Sequence, residues 1–207
     1  YSIFIGEFYF GLLLLWIILA FAGFLFIKKR VFNLLRRMEE PIMLAFSTAS
    51  SEAAFPKTML ELERFGCKDK IVSFVLPLGY SFNLDGSMMY MTYASLFIAQ
   101  SYGMHIPVGT QITMLLVLML TSKGIAGVPR ASLVVIAGTL ATFNIPEAGI
   151  ALLLGIDPLL DMGRSATNVV GNSIATAVVS KWEGELSHGH HHEHSHHHSH
   201  HHGHEHK

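Results

Sequence analysis

Near the C-terminal end of the chain, one face of an otherwise apolar helix carries a cation, an anion and three hydrogen-bonding side chains. In "DPLLDMGRSATNVVGNSIATAVVSKWE" (residues 157–183), Asp161, Arg164, Ser165, Asn168 and Asn172 fall within an arc of about 100°, taking 100° per residue. A guanidinium in hydrocarbon is costly and is rarely kept without a counter-charge. Two uses suit Arg164. It can pair internally with Asp161, one helical turn away, or its planar fork can take a ligand carboxylate in a two-pronged contact that a lysine would make less well. Asp161 could then receive an ammonium, so the pair suits a ligand bearing both an extra carboxylate and an amino group.

A second polar insertion is "SFNLDGSMMY" (residues 81–90), which puts Asp85 beside Asn83 and Gly86. The surrounding stretch, residues 71–100, has no other charge. Glycine weakens helix, and Asn and Asp offer the backbone competing hydrogen bonds, so the helix is expected to unwind across Pro77, Gly79 and "NLDG".

These side chains need elements of membrane type to hold them. The 207 residues are 51% apolar with a formal net charge of −1, and 13 of the 14 histidines lie in a polar tail from Ser187 to Lys207. Without that tail the chain is too apolar and too poor in charge for an ordinary soluble domain. "FYFGLLLLWIILAFAGFLFI" (residues 8–27) is uncharged and long enough to cross a hydrocarbon core of about 30 Å. Its basic cluster follows it and no cleavage site does, so it reads as a retained transmembrane helix, within residues 1–31. Tyr1 stands almost inside that helix, which reads as the start of a C-terminal piece of a longer protein. Nine of the 14 Lys and Arg residues fall between Lys28 and Lys70, which puts that region on the cytoplasmic side. The sole cysteine, Cys67, reads as an unpaired surface thiol.

Residues 32–66 contain two apolar pieces too short to span, divided by "STASSE", with basic flanks at both ends. This pattern suits a re-entrant hairpin from the cytoplasmic side, or alternatively an amphipathic pair on the membrane surface. Residues 67–103 form the span interrupted by the "NLDGS" motif. Residues 104–145 repeat the hairpin design from the other side, with "TSKGIAGVPR" at the tip. Residues 146–183 hold the polar-faced helix, ending at Lys181 and Trp182 as interfacial anchors. The expected fold is an all-α integral membrane protein: two re-entrant hairpins of opposite direction and discontinuous transmembrane helices, the pattern of an inverted-repeat transport core.

Four motifs then match a family in order and spacing: "AFSTASSEAAFPKTM", "GYSFNLDGSMMYMTYASLFIAQ", "TSKGIAGVPRASLVVIAGTL" and the helix quoted first. Over roughly residues 1–186 the chain resembles the C-terminal transport core of the dicarboxylate/amino acid:cation symporters. The resemblance implies an elevator-type carrier of glutamate or aspartate, driven by Na+ or H+ and lacking other cofactors. It also implies a homotrimer in a bacterial plasma (inner) membrane, multi-pass and with the tail cytoplasmic. Small acidic solutes and lipid are the expected partners, and nucleic acid is not.

By the same resemblance, Ser50, Ser51, Ser87, Gly127, Val128, Asp161, Arg164, Ser165 and Asn168 would contact substrate. Family members for neutral amino acids lack the arginine, and those for C4-dicarboxylates tend to lack the aspartate, so both together favour glutamate or aspartate over succinate, malate or fumarate. Asp85 and Asn83, with carbonyls of Gly79, Ser81 and Leu84 and the side chains of Asn168 and Asn172, would surround a cation. The alternative for Asp85 is protonation or a buried basic partner. Departures matter too: Ala49 stands where some archaeal relatives have arginine, Asn172 where sodium-coupled ones have aspartate, and Met91 where potassium-exchanging ones have an acid. Glu52 follows the serines as in several proton-coupled members, and if protons drive the carrier, Asp85 or Glu52 would be a candidate to carry one.

The tail is low-complexity and expected to be disordered over residues 184–207. Its imidazoles, among them His190, His191, His192, His194, His196, His197 and His198, can bind transition metals weakly, which keeps a membrane metal-handling role as a further alternative. Enzyme motifs are missing from the apolar body: it has no G-x-S-x-G elbow and no phosphate-cradling loop, and the H-E-x-x-H match "HEHSH" (residues 192–196) falls in the low-complexity tail.

Overall fold

The computed structural model describes residues 1–83, 85–123, 131–184 and 186. Ten α-helices appear among them: α1 (Ser2–Ile27), α2 (Arg30–Arg37), α3 (Glu39–Thr48), α4 (Phe55–Phe65), α5 (Asp69–Phe82), α6 (Asp85–Ser101), α7 (Val108–Thr121), α8 (Ala131–Thr142), α9 (Ala151–Leu154) and α10 (Asp157–Trp182). The described residues hold no strand, only one isolated antiparallel bridge between Cys67 and Leu186. The fold is all-α.

Helix α10 is the axis of the molecule and packs against α1, α3, α5 and α6. Its middle can be surrounded on every side because its side chains there are small: Ser165, Ala166, Thr167, Asn168, Val169, Val170, Gly171, Asn172 and Ser173 are all buried. Two apolar clusters lie along it. One joins Phe4, Phe8 and Leu12 of α1 to Tyr90, Ile98, Met114, Ile136 and Leu160. The other joins Ile27 to Val31, Leu62, Val72, Leu76 and Ile174. Helices α1 and α10 run through both, so two packed halves share one pair of struts. Trp16 fixes the pair at mid-length by donating its indole N–H to Thr167 Oγ1 at 2.8 Å.

Among the described helices, α1 is the one long and apolar enough to cross a membrane. Its outward face is left uncovered, with Leu13, Ile17, Phe21 and Leu25 each more than half exposed. At its end, Phe26 meets Trp182 edge-on with centroids 5.1 Å apart.

The breaks between elements have local causes. Ala49 takes the left-handed conformation (φ 51°) and ends α3; a 3-10 turn over Glu52–Ala54 follows, and Pro56 stands in the first turn of α4, where its missing N–H costs nothing. The interruption between α5 and α6 is narrower than expected. Pro77 and Gly79 lie inside α5, which runs unbroken to Phe82, and helical backbone stops at Asn83 (φ −110°, ψ 74°). Asn83 still gives its N–H to the Gly79 carbonyl at 2.7 Å, so the helical ladder survives past the glycine. Cys67 also departs from expectation: it is 4% exposed, packed within the second apolar cluster, rather than a surface thiol.

Candidate functional site

Four segments meet where α10 passes the break: the turn between α3 and α4, the end of α5, the start of α6, and the middle of α10. Asn168 is the hub. Its Oδ1 accepts from the backbone N–H groups of Gly86 (2.9 Å) and Ser87 (3.3 Å) in the first turn of α6. Those donors have no partner within their own helix, so a side chain some 80 residues away caps it. Asn168 Nδ2 in turn donates to Ser87 Oγ (3.2 Å) and Ser51 Oγ (3.5 Å). Ser51 donates to the Ser165 carbonyl (3.3 Å), and Tyr80 donates its hydroxyl to the Ser51 carbonyl (2.8 Å).

Arg164 sits at the rim of this network. Its Nε is paired with Asp161, while Nη1 and Nη2 donate to Ser87 Oγ (3.2 Å) and Ser165 Oγ (3.3 Å). The side chains of Arg164 and Asp161 are 16% and 15% exposed, so the pair is desolvated yet reachable. The internal pair and a ligand contact are therefore compatible. Asp161 occupies one edge of the guanidinium, and among the described residues the other two nitrogens donate to neutral hydroxyls, which a carboxylate would outcompete as acceptor.

A second cluster adjoins the first through Gly86. The Asp85 carboxylate lies against the bare backbone of Gly171 on α10, where an added Cβ would stand 2.2 Å from Oδ2. Gly86 is equally required by close approach, since a Cβ there would stand 2.2 Å from the Arg164 carbonyl oxygen. The side-chain amide of Asn83 fits best with its nitrogen toward Asp85, at 3.2 and 3.3 Å, and its oxygen toward the Asn172 amide at 3.2 Å. Asn172 is 1% exposed and its Nδ2 otherwise lacks a partner, so turning that amide as well makes a chain of donors from Asn172 to Asn83 to Asp85. A lone carboxylate at a helix break can take a proton or a hard cation, and a cation would need the Asn83 amide to turn its oxygen toward Asp85.

Of the residues singled out in sequence, Ser51, Ser87, Asp161, Arg164, Ser165 and Asn168 form one connected set, and Asn83, Asp85 and Asn172 form the second. Ser50 stays outside the first: its hydroxyl donates to Glu52 (3.2 Å) and accepts from the Ala53 N–H (3.3 Å), capping the local turn. Gly79 borders Asn172, with an added Cβ 2.6 Å from its Oδ1. Ser81 bonds back to the Pro77 carbonyl at 3.3 Å, within α5. Leu84, Gly127, Val128 and the tail histidines lie outside the described residues.

Three contacts were not anticipated. Tyr80 buttresses Ser51, Tyr90 donates to Asp157 inside the core, and Lys123 at the end of α7 donates to the Phe82 carbonyl at 2.7 Å. Polar tips in apolar spans carried the signal, because a buried Tyr hydroxyl or lone Lys needs a partner.

The chain is 54% identical over 157 residues to the proton/sodium-glutamate symport protein of Geobacillus stearothermophilus, covering 76% of this chain and 37% of the relative. It is 50% identical over 154 residues to the protein of the same description from Bacillus subtilis, covering 74% and 36%. It is 45% identical over 186 residues to the C4-dicarboxylate transport protein of Azorhizobium caulinodans, covering 89% and 41%. The chain thus spans roughly two fifths of the length of these relatives. Residues 1–182 match the Sodium:dicarboxylate symporter family, and the chain belongs to it.

Proposed function

We propose that this chain is the substrate- and cation-binding core of a membrane symporter that carries glutamate or aspartate with Na+ or H+. The observation that carries the reading is the Asp161–Arg164 pair, desolvated but reachable, with two guanidinium nitrogens turned to the hydroxyls of Ser87 and Ser165. A substrate side-chain carboxylate takes the place of those hydroxyls on Arg164. Its ammonium goes to Asp161, whose two oxygens can serve both cations. Ser51 and Asn168 supply the remaining polar contacts.

The coupling cation supplies positive charge beside the substrate's acidic groups. Asp85, Asn83 and Asn172, with carbonyls at the end of α5, would hold it. Because Gly86 and Ser87 follow Asp85 directly and are capped by Asn168, a shift in Asp85 moves Ser87, a contact of Arg164. That link couples the two sites mechanically.

In this reading α3 with α4, and α7 with α8, are re-entrant hairpins from opposite membrane faces, and the segments 1–31, 32–66, 67–103, 104–145 and 146–183 are the units of an inverted-repeat elevator. The protein is a homotrimer of the bacterial plasma membrane with its tail in the cytoplasm. A C4-dicarboxylate substrate is the second reading, favoured by relatives named for that transport. Uptake by the complete gene product in liposomes decides between them, with labelled aspartate, glutamate and succinate and separately imposed sodium and proton gradients. Uptake of succinate alone would overturn the amino-acid assignment.

A further inference from the structure

Lys123 is the only Lys or Arg between Lys70 and Arg130. Its Nζ donates to the carbonyl of Phe82, the last residue of α5, at 2.7 Å. In an unbroken helix that carbonyl would accept the N–H of Gly86, four residues on. Here the Gly86 N–H is taken by Asn168 Oδ1. The helix break therefore creates a free carbonyl at the partially negative end of α5, and Lys123 fills it. Asp85 is within electrostatic reach of the same ammonium.

We propose that Lys123 is a cation built into the chain for the broken helix: its ammonium occupies the carbonyl end of α5 and supplies positive charge that the break would otherwise draw from solution. It is a positioning residue with an electrostatic task, and it sets how strongly the site depends on external sodium. This inference rests on the reading that the break holds the coupling cation.

The test compares the complete gene product with its Lys123→Gln and Lys123→Arg variants, each purified and melted in sodium or choline chloride. Gln keeps a hydrogen-bond donor without charge, so a mere tether would be retained. The expected result is a sodium-induced rise in melting temperature at least about twice that of the wild type for Lys123→Gln, since a ligand that binds the folded state stabilises it by RT ln(1 + [L]/Kd) and tighter sodium binding therefore raises the melting point further. Lys123→Arg should behave as the wild type. Equal sodium responses in all three proteins would overturn the proposal. Should Lys123→Gln fail to fold, Lys123→Cys measured before and after alkylation with 2-bromoethylamine gives the same comparison on one preparation, because the reagent restores an ammonium. A wild type that takes up no acidic substrate under any gradient would sink the function proposed above, while the sodium comparison still decides the role of Lys123.

Discussion

The carboxylate of Asp85 rests on the bare backbone of Gly171, where a Cβ would stand 2.2 Å from Oδ2. Gly171→Ala should gain about 1 kcal/mol of helix propensity. Against that stands overpacking of a buried site, about 1–3 kcal/mol, with the charged group forced aside. The clash wins, and it falls on the candidate cation ligand. Gly171→Ala is expected to raise the sodium or proton concentration needed for half-maximal uptake while melting within a few degrees of the wild type. An unchanged cation dependence in a liposome assay would argue against Asp85 as a ligand.

Arg164 makes two hydrogen bonds to neutral hydroxyls that a substrate carboxylate would replace with charge-assisted ones. Hydrogen bonds to charged groups contribute about 1.5–3 kcal/mol each. Arg164→Ala should therefore lower the affinity for aspartate or glutamate by about a hundredfold or more, and Arg164→Lys, with one point charge in place of a fork, should recover only part of it. Asp161→Asn should instead weaken amino acids relative to succinate, because it removes the seat for the ammonium. Competition of each solute against labelled aspartate measures all three, and an Asp161→Asn carrier with unaltered preference would refute the assignment of that aspartate.

What the sequence disclosed here, and what it concealed, follows from the range of the interactions. The polar face of α10 was legible because 3.6-residue periodicity is local, and the break at Asn83 because Asn, Asp and Gly disfavour helix within a few residues of themselves. The tolerance of Pro77 inside α5 was not, since neighbouring elements decide whether a proline ends a helix. Ser50 and Ser51 look alike in sequence, yet one hydroxyl is spent on Glu52 and the Ala53 N–H and the other reaches the Ser165 carbonyl. Burial of Cys67 depends on Ile27, Leu62 and Ala177, which are distant in the chain. The service of Asn168 to Gly86 is likewise purely tertiary.

Cys67 offers a check on packing that needs no transport. Burial pushes its thiol up from the usual range, so at neutral pH the reactive thiolate is scarcer than in an exposed cysteine. Maleimide labelling of the folded protein is expected to be slow near pH 7, to quicken as pH rises toward the elevated value, and to become rapid in denaturant at either pH. Fast labelling of the native protein at neutral pH would place the loop between α4 and α5 on the surface.

Asn168 combines three duties that different substitutions separate. Its Oδ1 caps two N–H groups of α6, its Nδ2 serves Ser51 and Ser87, and it borders the guanidinium contact made by Ser87. Asn168→Leu leaves the buried N–H groups unsatisfied, at about 1–3 kcal/mol apiece, and should lower the melting temperature by several degrees. Asn168→Asp keeps an acceptor for those N–H groups, so α6 stays capped. It loses both donated bonds and adds a negative charge close to Arg164, in competition with an acidic substrate. Asn168→Asp should therefore retain more thermal stability than Asn168→Leu yet bind aspartate or glutamate at least about tenfold more weakly than the wild type, the equivalent of about 1.4 kcal/mol. Melting curves and substrate titrations of both variants give the comparison, and a Leu variant as stable as the wild type would show that α6 does not depend on this cap.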